Sequence, residues 1–119
     1  MRANYSNPPT HGCQIVASVL GSPQLRGLWE REVGAMRDRI KAMRKQLVDR
    51  VQSRAPGFDF SFVVKQRGLF SYSGLTREQV LRLRSEYSIY AIESGRVCVA
   101  ALTTKNIDYV AEAIAKVIR

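Results

Sequence analysis

Hydrophobic positions in the first half of the chain follow the period of an α-helix. From Leu25 to Val51 they recur mostly every three or four residues, which places them on one face of a single helix. Ser22 can cap this helix with Pro23 at its first position, and Ala55-Pro56-Gly57 can end it. Roughly 30 residues give a length of about 45 Å, so we expect the helix to extend past its own core. The apolar stripe comprises Leu25, Leu28, Trp29, Val33, Met36, Ile40, Met43, Leu47 and Val51.

Shorter elements are predicted on both sides of the long helix. Residues 1–9 are irregular because Asn7-Pro8-Pro9 cannot continue a helix. Residues 11–20 then indicate a short helix that is packed on both sides. After the long helix, the alternating phenylalanines of residues 58–63 predict a strand, and residues 69–73 predict a second one.

The next segments predict a helix and a hairpin. Thr76 and Gln79 have the spacing of a capping box, which opens a helix through about Tyr87. Residues 88–92 and 97–101 are apolar segments on either side of a turn that contains Gly95. This arrangement predicts a β-hairpin.

A closing helix completes the predicted order of elements. Thr103 or Thr104 can cap it, and its apolar face is formed by Ile107, Val110, Ala111, Ile114 and Val117. Helices and short strands in this order indicate an α+β fold, in which helices pack on a small, mostly antiparallel sheet.

Composition limits the classes of function. The chain has 119 residues, 45% of them hydrophobic, and fits one modest domain. Its net charge of +9 comes from 14 arginines and five lysines against 10 acids, and much of the excess lies between Arg26 and Arg54. Because acids are interspersed there, we favour a solvated or domain-covering helix face over nucleic-acid binding, which stays the alternative.

Other features bear on location and metal binding. The apolar runs are too short to cross a membrane, and the N-terminus lacks the apolar core of a signal peptide. Cys13 and Cys98 lie in apolar neighbourhoods, which favours two buried thiols in the reducing cytoplasm over a disulfide. His11 is the only histidine, so we do not expect a zinc site.

Arg96 is the conspicuous candidate for binding chemistry. It follows Ser94-Gly95 in the predicted turn between two apolar segments, and such a turn does not require an arginine. A planar guanidinium is suited to a two-point grip on a carboxylate. The alternative is an exposed turn arginine without a binding role.

Three segments carry more specific motifs: RANYSNPPTHG (2–12), QRGLFSYSGLT (66–76) and YAIESGRVCVAALT (90–103). In order and spacing they resemble the C-terminal part of class I pyridoxal-phosphate-dependent aminotransferases of the aspartate/aromatic branch, and the resemblance covers nearly the whole chain. It implies the small domain of fold-type I aminotransferases with one long connecting helix. Residues 1–21 would end the large-domain region, 22–55 would form the interdomain helix, and 56–119 the small C-terminal domain.

The resemblance implies roles for five residues. Arg96 would hold the α-carboxylate of the substrate in a bidentate salt bridge, and Arg2 would reach the distal carboxylate in the other subunit's site. Phe70 would pack close to the substrate, although an ordinary core position is the alternative. Ser6 and Asn7 would line the site near Arg2, or simply form a turn.

The resemblance also implies a reaction and a cofactor. The family moves an amino group between an aromatic or dicarboxylic amino acid and 2-oxoglutarate, using pyridoxal phosphate on a Schiff-base lysine. Residues 66–75 and Cys98 look closer to the aromatic enzymes, whereas Ala101 departs from the usual glycine. None of the five lysines lies in a segment like S-x-S-K. We therefore do not expect this chain alone to bind the cofactor, and its own catalytic competence is left open.

A second hypothesis is a non-catalytic module derived from the aminotransferase small domain. Apolar surfaces of such a module could serve self-association or another binding partner. Under either hypothesis we expect a homo-oligomer, with no nucleic-acid or membrane partner. The preferred amino acid stays open.

Overall fold

The computed structural model describes residues 10–119. The chain divides into two compact units, Met1–Arg37 and Asp38–Arg119. Helix α1 (Thr10–Gly21) lies in the first unit, and helix α2 (Pro23–Arg54) begins there. The rest of α2 and all later described elements belong to the second unit.

Helix α1 and the start of α2 expose their apolar residues. No residue of α1 is buried, so the predicted packing of this helix on both sides is wrong. Cys13 is an exposed free thiol rather than a buried one. The predicted cap is confirmed, since the Ser22 Oγ accepts a hydrogen bond from the Leu25 N–H at 3.4 Å. The large exposed apolar residues between Thr10 and Arg37 are Ile15, Val16, Leu20, Leu25, Leu28, Trp29, Val33 and Met36.

Helix α2 confirms the predicted long helix. It contains 32 residues, which corresponds to about 48 Å. The later part of its apolar stripe is buried in the second unit, through Met43, Leu47 and Val51. Hydrophobic burial therefore anchors the C-terminal half of this helix.

The strand predicted at residues 58–63 is absent, and a short helix α3 (Phe62–Lys65) lies there instead. The alternation identified the inward-facing positions only in part. Phe60 is buried and its ring lies 6.1 Å from Phe58 and 5.8 Å from Phe62 between centroids, but Val63, on the opposite side of the predicted strand, is buried as well. However, the Asp59 carboxylate accepts a hydrogen bond from the Ser61 N–H at 2.9 Å. This local bond favours a turn over an extended strand.

Two short strands form an antiparallel sheet. Strand β1 (Phe70–Tyr72) pairs with strand β2 (Arg96–Cys98), and Ser71 lies opposite Val97. Helix α4 (Arg77–Tyr87) lies between them in sequence and has both bonds of the predicted capping box. We call the paired strands the β1–β2 ribbon.

The predicted hairpin of residues 88–92 with 97–101 is wrong, because β2 pairs with β1. Ser88 is left-handed (φ 52°) and ends α4, and its N–H donates to helix carbonyls. The Ile89 N–H also donates to the Leu83 carbonyl, at 3.0 Å. These donors close a helix and are not available to a strand. Residues after β2 turn into a 3₁₀ helix, Val99–Ala101.

Helix α5 (Ile107–Ile118) closes the chain and buries the predicted face, with Val110 only half-buried. The residue at its N-cap is Asn106, not Thr103 or Thr104 as predicted, and its side chain makes no cap hydrogen bond. Thr103 accepts a hydrogen bond from the Asn106 N–H at 3.3 Å in the turn before the helix. The α+β prediction is confirmed, although the described sheet has two strands where four were predicted. The core consists mainly of Met43, Leu47, Val51, Phe60, Val63, Val80, Leu83, Val99, Ile107, Ala111, Ile114 and Val117.

Candidate functional site

The β1–β2 ribbon has one face toward the core and one toward solvent. Ser71 is buried, whereas its neighbours Phe70 and Tyr72 are exposed. On β2, Arg96 and Cys98 are exposed, so the prediction of a buried Cys98 thiol is wrong. The register places Tyr72 opposite Arg96 and Phe70 opposite Cys98. These four side chains therefore share the solvent face, which we call the open face.

Arg96 and Phe70 contact each other on the open face. The guanidinium carbon of Arg96 lies 5.0 Å from the centroid of the Phe70 ring, within the range of a cation–π interaction. Phe70 is 50% exposed, so it does not belong to the core of the described residues. Within residues 10–119, no carboxylate forms a salt bridge with Arg96. Its fork of N–H donors can therefore donate hydrogen bonds to an external anion.

Gly95 determines how the chain enters β2. Its φ is +83°, and a β-carbon there would lie 2.9 Å from the Leu75 carbonyl oxygen. The Gly95 carbonyl accepts hydrogen bonds from the Ser73 N–H at 2.9 Å and from the Ser73 Oγ at 2.7 Å. The backbone immediately before Arg96 is thus fixed by contacts that only glycine permits.

Arg44 supports β1 from the core side, and it was missed in the sequence. Only 4% of this residue is exposed. Its Nε donates to the Ser71 Oγ at 3.2 Å and its Nη2 to the Gly68 carbonyl at 2.6 Å. Burial lowers the pKa of the Arg44 guanidinium. Assigning all basic residues of α2 to a solvated or domain-covering face was therefore wrong for Arg44. A signal was available, since it precedes buried Leu47 and Val48 by three and four residues.

Two further side chains act on the ribbon's backbone. The Gln66 amide donates to the Tyr72 carbonyl at 2.9 Å and accepts from the Tyr72 N–H at 2.7 Å, as a neighbouring strand would. Arg39 donates to the carbonyls of Ala100 and Leu102, both at 3.0 Å. The ribbon is thus held at its edge and at the end of β2.

The other predicted site residues lie outside the described part of the chain. Arg2, Ser6 and Asn7 all fall within residues 1–9, so their positions relative to Arg96 stay a prediction. The structure brings together two of the five predicted residues, Arg96 and Phe70.

The described residues do not fit pyridoxal phosphate. A lysine that forms a Schiff base must be able to lose its proton, which requires burial or a neighbouring positive charge. All five lysines are exposed, and the ion pair with Glu112 raises the pKa of Lys116. A surface cleft lined by Arg54, Glu112, Ala115, Lys116 and Arg119 contains none of the predicted site residues.

Comparison with known proteins decides the family. The family model described as Aminotransferase class I and II matches residues 1–114. The chain belongs to this family. The aspartate aminotransferase of Pseudomonas aeruginosa is 55% identical over 118 residues, which are 99% of this chain and 30% of the relative. The aromatic-amino-acid aminotransferase of Escherichia coli is 49% identical over 117 residues, again 30% of its length.

Solved aminotransferase structures confirm the fold. The crystal structure of the aromatic-amino-acid aminotransferase from Burkholderia pseudomallei, covalently bound to pyridoxal phosphate, matches with a TM-score of 0.94 and 61% identity over 99% of this chain and 30% of that one. A mitochondrial aspartate aminotransferase from Trypanosoma brucei matches with a TM-score of 0.93 and 43% identity, over 99% of this chain and 31% of that one.

This aminotransferase chain spans about 30% of the length of the curated relatives named above. Both aspartate and aromatic enzymes are similar to it, and their identities do not separate the two branches. Among the described residues, no helix combines the length and the hydrophobicity needed to span a membrane.

Proposed function

We propose that this chain is the part of an aspartate/aromatic aminotransferase that binds the carboxylates of the substrate. The observation that supports this most directly is the exposed Arg96 guanidinium, held against Phe70 without a carboxylate partner among the described residues. A planar guanidinium can donate two parallel hydrogen bonds to an α-carboxylate. Stacking on Phe70 limits the orientations of the fork before the substrate binds, which reduces the entropy lost on binding.

The remaining assignments extend this proposal to the whole protein. Arg2 binds the distal carboxylate in the other subunit's site, with Ser6 and Asn7 nearby, and the protein is a homodimer. Residues 1–21 end the large domain, 22–55 connect the domains, and 56–119 form the small domain. The intact protein transfers an amino group from an aromatic or dicarboxylic amino acid to 2-oxoglutarate. Pyridoxal phosphate supplies the electron sink for this chemistry, and its lysine belongs to another part of the protein.

A fusion protein tests the proposal. Residues 1–119 replace the matching 118-residue segment of the Pseudomonas aeruginosa aspartate aminotransferase, and transamination of aspartate, tyrosine and phenylalanine is measured. We expect an active fusion. Replacing Arg96 by lysine removes one of two charge-assisted bonds, so kcat/KM should fall by about 10- to 100-fold.

The matched control is Arg82→Lys, at an exposed arginine that pairs with Glu86 within α4 at 2.8 Å. This control should retain the activity of the parent fusion. Equal activity of the Arg96→Lys fusion and its parent would reject carboxylate binding by Arg96.

A second candidate, the non-catalytic self-associating module, is supported by the exposed apolar residues of the first unit. They occur on both α1 and the start of α2 and include Leu28, Trp29 and Val33. Apolar side chains exposed in this number favour association in water. The same surface suits contact with the rest of a longer aminotransferase, so the two candidates predict different behaviour only for the chain by itself.

A further inference from the structure

Arg44 is the buried charged residue of the described chain, and its environment is unusual. Its two acceptors in the structure, a hydroxyl and a carbonyl, are both neutral, and no described carboxylate forms an ion pair with it. Burying a guanidinium is costly unless an anion compensates, and an apolar side chain of similar volume often stabilises such a position as well or better. Stability alone therefore gives a poor account of an arginine here.

The acceptors of Arg44 lie on either side of Phe70. The Gly68 carbonyl is two residues before Phe70, and the Ser71 hydroxyl is one residue after it. Two bonds from one rigid guanidinium fix both the position and the rotation of this short segment. The contact is made from the core side, whereas the Phe70 ring lies on the open face.

Arg39 contacts the same end of the ribbon from the same helix. Its acceptors, the carbonyls of Ala100 and Leu102, lie in the segment just after β2, which ends at Cys98. Because Phe70 is paired with Cys98, the start of β1 and the end of β2 lie side by side. Residues 39 and 44 of α2 therefore brace both strands at this end.

We propose that Arg44 is a positioning residue for carboxylate binding. By orienting β1 it holds the Phe70 ring against the Arg96 guanidinium, and it links helix α2 to the open face. The inference rests on the proposed function, since it assigns Arg44 a task in the site where Arg96 binds the substrate.

The first test uses the full chain without any ligand. At 5.0 Å, the Phe70 ring should shift the NMR signals of the Arg96 side chain, which are assigned by their loss in the Arg96→Lys variant. In Arg44→Met this ring-current shift should fall by at least half, while far-UV circular dichroism stays unchanged. The control Arg82→Met should leave the shift as in the parent. An unchanged Arg96 shift in folded Arg44→Met would overturn the proposal.

The second test uses the fusion with the Pseudomonas aeruginosa enzyme. Arg44→Met should raise KM for the amino acid about tenfold with kcat within about twofold, because an interaction common to the ground and transition states is weakened. If KM is normal in Arg44→Met but raised in Arg96→Lys, the positioning role of Arg44 is rejected and the proposed function is not. A normal kcat/KM in Arg96→Lys rejects the proposed function.

Ser71→Ala covers the case in which Arg44→Met does not fold. This variant removes one acceptor of Arg44 and leaves the Gly68 bond in place. We expect a smaller loss of the Arg96 ring-current shift than in Arg44→Met, and a rise of KM of about threefold. If Ser71→Ala kept both the Arg96 shift and the KM of the parent, the proposal would be wrong.

Discussion

At residue 95, backbone geometry limits the choice of side chain. The positive φ is strained for any residue with a β-carbon, and the Leu75 carbonyl and the Tyr72 ring leave no space for one. Because the next residue is Arg96, displacement of this turn would move the guanidinium. The position of the Arg96 guanidinium therefore depends on glycine at residue 95.

The Gly95→Ala substitution should therefore destabilise the chain by about 2–3 kcal/mol, from strain and steric overlap together. Thermal unfolding followed by circular dichroism would show a lowered Tm. Gly57→Ala is the matched control, since a β-carbon at Gly57 meets nothing within 4 Å. Its effect should stay within about 0.5 kcal/mol. Equal Tm values for the two variants would contradict this account of Gly95.

Residues of the candidate site differ in how far sequence could identify them. Arg96 stands out by its place after Ser94-Gly95, whereas its role and the candidacy of Phe70 come from a family resemblance. The contact between the two follows from a strand pairing that the sequence did not reveal. Arg44 was missed because arginine usually lies at the surface. Its burial depends on acceptors 24 and 27 residues away, and local periodicity carries no information about such distant partners.

At the scale of elements, the helix predictions that succeeded rest on local interactions. The long helix α2, the capping box of α4 and the apolar face of α5 each follow from residues within a few positions of one another. The strands predicted at 58–63 and 88–92 failed because a strand needs a distant partner. In both segments a local hydrogen bond, at Asp59 and at Ser88, closed a turn instead.

The capping box of α4 gives a prediction at this scale. The Thr76 Oγ1 accepts from the Gln79 N–H at 3.2 Å, and the Gln79 side chain accepts from the Thr76 N–H at 2.9 Å. Thr76→Ala should lower the free energy of unfolding by about 1 kcal/mol, measured by urea denaturation. Thr104→Ala, at an exposed threonine outside any helix, should have little effect. A destabilisation as large in Thr104→Ala would argue against a specific cap.

An ion pair links the start of α4 to the turn before β2. The Arg77 Nε donates to Glu93 at 2.7 Å, and this hydrogen bond lowers the pKa of the Glu93 carboxyl. A carboxyl with a lowered pKa in the folded state stabilises the protein above its unfolded-state pKa, and this contribution is lost as pH falls through the folded-state value. The loss should therefore occur in the acid range, below about pH 4.3.

Glu93→Gln should accordingly reduce the difference in urea midpoint between pH 7 and pH 3. The reduction should be small because the pair is exposed, and added salt should weaken it. Glu78→Gln is the control, since Glu78 lies in the first turn of the same helix without a salt bridge among residues 10–119. A Glu93→Gln profile identical to that of the parent would show that the ion pair does not contribute.

At the scale of the whole molecule, burial is uneven. The second unit has a continuous core from α2 to α5, whereas α1 contributes no buried residue. Between Thr10 and Arg37, eight large apolar side chains are in contact with water, which is unfavourable. A partner surface would remove this cost, either in the rest of a longer aminotransferase or in a second copy of the chain.

The chain by itself should consequently associate through the first unit. In sedimentation velocity, we expect the sedimentation coefficient to rise with concentration. Replacing Leu28 and Trp29 together by glutamine removes apolar surface and should weaken association at least tenfold, which corresponds to about 1.4 kcal/mol. The control is Val64→Gln, at an equally exposed valine of the second unit. If this control weakened association as much, nonspecific hydrophobic contact would explain the data. A monomer at every concentration would refute self-association, and the exposed residues would then require the rest of a longer protein to cover them.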